Sequence, residues 1–118
     1  MHNYKNLKIW QQSRTLVKLV YEITGFFPTK EQFGLTSQIQ RAAVSIPANI
    51  AEGSGRGSDK DFSRFLDIAV ASSFELETEL LLANDLNFIS EEQLNPVLNH
   101  IQEIQKMIFG FKEKLNFK

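Results

Sequence analysis

Three carboxylates, Glu75, Glu77 and Glu79, crowd into little more than one turn of a stretch whose patterning is helical. Glu75 and Glu79 stand four apart, so they share a helix face and repel unless a cation or hydrogen-bond donors answer them. Such a pair could work as acid and base, or hold a cation. No His, Cys or Lys is spaced as a catalytic partner, so the expectation is blander: one carboxylate meets Arg41 across a helix pair and the others lie in solvent. A di-iron site in a helical bundle needs Glu-x-x-His twice, yet the chain has only His2 and His100, and Val97 stands three before His100. The two histidines are expected at the surface or against a helix neighbour, without function. Gly53-Ser-Gly-Arg-Gly-Ser58 lacks the Lys-Ser/Thr ending and the preceding strand of a phosphate-binding loop. It reads as a flexible turn, although it precedes a helix N-terminus, which favours anions, and carries Arg56. No catalytic residue, metal or cofactor is assigned, and the chain is expected to be non-enzymatic.

A second constellation points to assembly. Gln38, Arg41, Ser45, Asn49 and Glu52 follow steps of three, four, four and three, one stripe of a helix. Short hydrogen-bonding side chains and small residues dominate it, where a solvated face would be rich in Lys and Glu. That composition suits close packing against another helix or chain. The best basic cluster, Arg56, Lys60 and Arg64 at four-residue spacing, is interleaved with Asp59, Asp61 and Asp67. Lys106, Lys112, Lys114 and Lys118 follow towards the C-terminus, where they complement a helix dipole. Both clusters are read first as solvated or dipole-compensating, and second as RNA or DNA contacts that repetition around a ring would strengthen.

These residues must be positioned by helices. The 118 residues form one domain, large enough for a core without metals or disulfides. Cysteine is absent, which suits a reducing cytoplasm. The N-terminus has no apolar run of the signal-peptide kind, and no stretch approaches the length of a membrane span. Thirteen basic and fourteen acidic residues leave a net charge of −1, without the basic excess of a dedicated nucleic-acid binder.

The patterning predicts four helices and no strands, an antiparallel up-down-up-down bundle. The first runs from about Leu7 to Thr24 and ends at Gly25 in a left-handed stop, with Pro28 beyond. Thr29 and Gln32 have the spacing of a capping box for the second, which carries Leu35, Ile39, Ala42, Ala43, Ile46 and Ile50 and should kink at Pro47. Ser58 or Asp59 caps the third, whose seam is Phe62, Leu66, Ala69, Ser73, Leu76, Leu80 and Ala83. In the fourth, Leu94, Val97, Ile101, Ile104, Ile108, Phe111 and Leu115 form an unbroken heptad seam. Either Ser90 and Gln93 open it, or Asn95 caps it with Pro96 at the first helical position. Phe65, Ile68, Leu81, Leu82, Leu98 and Phe109 exceed what one bundle core holds, so burial between identical subunits is expected.

The run Leu35-Thr-Ser-Gln-Ile-Gln-Arg-Ala-Ala-Val-Ser-Ile-Pro-Ala-Asn-Ile-Ala-Glu-Gly53 resembles the signature of the bacterial 23S rRNA intervening-sequence proteins. The likeness extends through Leu7-x-x-Trp10, Phe27-Pro28, Phe62-x-x-Phe65-Leu66-x-Ile68-Ala69 and Glu75-Leu76, nearly the whole chain. It implies an antiparallel four-helix bundle assembled as a homopentameric ring. A related branch, the accessory variability proteins of diversity-generating retroelements, is strongly basic and binds nucleic acid and a reverse transcriptase. Gln38, Arg41, Ser45, Asn49, Glu52, Gly53 and Glu75 match the family pattern as architectural or interface positions, and no catalytic role comes with them.

Overall fold

The computed structural model describes residues 2–115. Lys118 lies outside them. Four helices account for most of that span: α1 (Lys8–Thr24), α2 (Leu35–Ser54), α3 (Asp59–Asp85) and α4 (Glu91–Glu113). No strand occurs among the described residues, and no described helix is long and apolar enough to cross a membrane.

Each helix buries the stripe its periodicity demands. Ile9, Leu16 and Val20 of α1 meet Ile39, Ala43, Ile46 and Ile50 of α2, Leu66, Leu76 and Leu80 of α3, and Ile101, Ile104 and Ile108 of α4. Each helix packs against the next and α4 closes back on α1, with α2 and α3 in the most extensive contact. Contacts at the two ends give the directions. His2, just before α1, lies 5.0 Å from the ring of Phe62 in the first turn of α3 and 6.0 Å from Phe111 near the end of α4. Its backbone N–H donates to the carbonyl of Ser54 at the end of α2. At the opposite end Phe27, after α1, packs 5.9 Å from Phe88 in the α3–α4 connection. The helices therefore alternate in direction around one core, a rod of 46 × 24 × 21 Å.

Helix ends match expectation where the signals are local. Ser58 caps α3 by accepting from the Asp61 N–H, and Ser90 with Gln93 forms a complete capping box on α4. Pro96 accordingly sits in the second turn of α4, not at its first position. Three ends differ. Gly25 is right-handed at φ −60°, and α1 unwinds through bonds from Phe26 to Ile23 and from Phe27 to Thr24 instead of a left-handed stop. Thr29–Glu31 is an isolated turn of 3-10 helix; α2 starts at Leu35, whose N–H donates to the Glu31 carboxylate. The Gly53 end is no linker: Gly53 and Ser54 are the buried last turn of α2. Helix α2 continues through Pro47.

Candidate functional site

The polar stripe of α2 faces α3. Ser45 Oγ lies 2.8 Å from Ser72 Oγ, and Asn49 donates to Ser45 Oγ at 2.9 Å and to the Ser45 carbonyl at 2.8 Å. A β-carbon on Gly53 would stand 2.7 Å from Phe65 Cβ and 2.8 Å from Phe62 Cδ1. Between these fixed points the helices run antiparallel in constant register, rising about 1.5 Å per residue. That register sets Gln38 and Arg41 level with Glu79 and Leu76.

The three α3 carboxylates have separate fates. Glu77 accepts a 2.7 Å bond from Gln105 Nε2, which also donates to buried Ser73 at 2.9 Å and so ties α4 to α3. Glu75 is exposed. Glu79 is only 8% exposed, and its Oε1 has no hydrogen-bond partner. Burial, then the charge of Glu75, raises the Glu79 pKa from 4.5 to about 7. The expected ion pair with Arg41 does not form: Arg41 is exposed and, among the described residues, bonded to nothing. The i, i+4 geometry was legible, whereas the reach of Arg41 depends on where the two helix axes lie. The burial of Glu79 had a signal that was passed over. It stands three after Leu76 and four before Ala83, both on the buried seam.

The remaining candidates are placed as follows. Gln38 is exposed. Glu52 is exposed and accepts from Arg56 at 2.9 Å. Arg56 and Arg64 both lie over the Phe65 ring, 4.5 and 4.8 Å from its centroid, and Arg64 pairs with Asp61 at 3.0 Å. Phe65 is thereby covered, one residue removed from the apolar surplus, and Leu98 packs half-buried on the core. Ile68, Leu81, Leu82 and Phe109 remain 39–47% exposed. Lys60 is exposed, while Lys112 pairs with Asp67. One residue was missed: Ser72, which completes the polar contact of α2. His2 lies against a helix neighbour as expected, bonding Asp59 at 3.1 Å and packing on the Phe62 ring. His100 bonds the Gln12 carbonyl. Among the described residues, no group of three or more His, Cys, Asp or Glu could hold a metal ion.

A bundle of four helices around one core, with a polar seam binding α2 to α3, belongs among the four-helix-bundle proteins. The chain is a member of the 23S rRNA-intervening sequence protein family, whose profile matches residues 5–110. It is similar to a protein with unknown function from the S23 ribosomal protein family of Bacteroides thetaiotaomicron, known from its crystal structure. The two superpose with a TM-score of 0.80 at 28% identity, over 90% of this chain and 99% of the other. No curated protein matches the chain.

Proposed function

We propose that this chain is a non-enzymatic assembly module of the cytoplasm, whose identical copies join in a ring that serves as a scaffold or binding platform. Five is the number the family resemblance implies. The observation that carries this reading is the apolar surface an isolated chain leaves in water: Val44, Ile68, Phe74, Leu82 and Phe109 are 39–51% exposed along the helices. Scattered apolar side chains are ordinary on a monomer, but helical stripes of them favour burial against another surface. Light scattering coupled to size exclusion should give a particle of five 13.5 kDa chains at micromolar concentration. A monomer mass there overturns the reading.

RNA contact stands second, favoured by the open hollow that Lys60 and Arg64 line with Gly57 and Ser58 at the start of α3. Asp61 shares that hollow and already engages Arg64, which weakens its attraction for phosphate. If RNA binds there, log affinity falls with log salt by roughly 0.7 for each phosphate contact to a single strand. Absence of binding at low salt ends this second reading.

A further inference from the structure

Within the assembly reading, on which this inference rests, three of the charges left unpaired among the described residues lie on the adjoining helices α2 and α3. Glu79 is buried with an unpartnered oxygen, Glu75 beside it makes no hydrogen bond or ion pair, and Arg41 is free. A buried carboxylate without a donor is costly to leave so. Glu75 on its own helix acts on Glu79, and by the α2–α3 register exposed Gln38 and Arg41 stand at a similar height on α2. Helix α1 does not pack on α3, and α4 approaches α3 on the Glu77–Gln105 side. Among the described residues no cation pairs with Glu75 or Glu79.

Apolar residues flank both halves of the mismatch. On α2, Arg41, Val44 and Ala48 are exposed at steps of three and four, with Val44 42% accessible. On α3, Ile68, Glu75 and Leu82 are exposed at steps of seven, with Ile68 39% and Leu82 47% accessible. One stripe carries a cation at one end, followed by small apolar residues. The other carries a carboxylate, backed by buried Glu79, between larger ones. Each is what the other lacks, in charge and in shape.

We propose that the α2 stripe of one copy packs on the α3 stripe of a second copy, with Arg41 delivering its guanidinium to Glu75 and to the rim of the Glu79 site. Because the two stripes are different surfaces, the contact is head-to-tail. A head-to-tail contact propagates around a ring, whereas a self-complementary patch would stop at a dimer. Apolar packing supplies the affinity, and the ion pair sets register and rejects misaligned neighbours.

Charge reversal tests the pairing. In sedimentation velocity, R41E and E75K should each raise the concentration at which copies assemble by about tenfold or more, and R41E/E75K should recover most of that loss. Both positions are exposed, so the single variants should keep wild-type circular dichroism, and the milder R41Q and E75Q should shift assembly in the same direction by less. Single variants that assemble like wild type, or a double variant no better than the singles, overturn the pairing while leaving assembly through another face intact. A wild-type chain that is monomeric throughout removes both this inference and the assembly reading.

Discussion

Replacing Gly53 with valine should cost the bundle about 3 kcal/mol, and alanine about 1–2 kcal/mol. The reason is geometric. A β-carbon there would sit 2.7 Å from Phe65 Cβ and 2.8 Å from Phe62 Cδ1. Phe65 Cβ is bonded directly to the α3 backbone and cannot rotate away, so the whole start of α3 must retreat. Overpacking of this kind typically costs about 1–3 kcal/mol, while removing a glycine from a helix returns up to about 1 kcal/mol. Valine adds two more methyl groups to the collision and gains less helix propensity, hence the larger loss. Gly57 is the control: nothing lies within 4 Å of a β-carbon built there. Urea unfolding should place G53V well below G53A, and G57A within about 0.5 kcal/mol of wild type. A G53A protein as stable as wild type would mean that this close approach does not constrain the helices. Because Phe65 also bears Arg56 and Arg64, the same substitution should disturb the corner that carries the chain's main basic cluster.

That glycine also shows where reading the chain stops. The seams of α3 and α4 and the all-helical class were legible because each depends on residues within a turn or two of one another, while Ser58 and Ser90 were each one of two cap candidates between which the packed chain chose. Gly53 looked like part of a linker because glycine-rich composition fits a flexible turn and a tight helix crossing equally well. What separates them is the pressure of Phe62 and Phe65, and only the packed pair supplies it. The start of α2 misled for a related reason. Thr29 and Gln32 have capping-box spacing, but the chain closes a short turn there and begins the helix at Leu35, capped by Glu31. Similarly, the polar stripe from Gln38 to Glu52 was visible as one face, yet its members divide between seam and solvent. Ser45 and Asn49 are tied at α3, whereas Gln38, Arg41 and Glu52 look outward. Periodicity places a residue on a helix face; the neighbouring helix decides how far around that face it reaches.

The second large effect is a pH dependence centred on Glu79. Burial, with the charge of Glu75 added, holds its pKa near 7 in the folded chain against 4.5 ordinarily. Unfolding exposes the carboxylate, which then releases its proton at the lower pH. Between those values the unfolded chain binds fewer protons than the folded one, so stability falls as pH rises and the loss is complete above about 7. At about 1.4 kcal/mol per pH unit, the difference amounts to about 3 kcal/mol. Urea titrations of the dissociated chain should therefore show wild type losing on that order between about pH 5 and pH 8 relative to E79Q, which has no proton to lose. E75Q should recover a smaller share, because burial outranks the neighbouring charge as the cause. Parallel pH profiles for wild type and E79Q would mean that Glu79 meets a donor or water in solution. Assembly should reverse the sense of the dependence. A guanidinium brought to Glu75 and Glu79 by a second copy favours the ionised carboxylate, so joining copies releases a proton and association tightens as pH rises towards 8. In E79Q both trends should flatten together, because a single carboxylate both weakens the lone chain at high pH and rewards its capture by a neighbour.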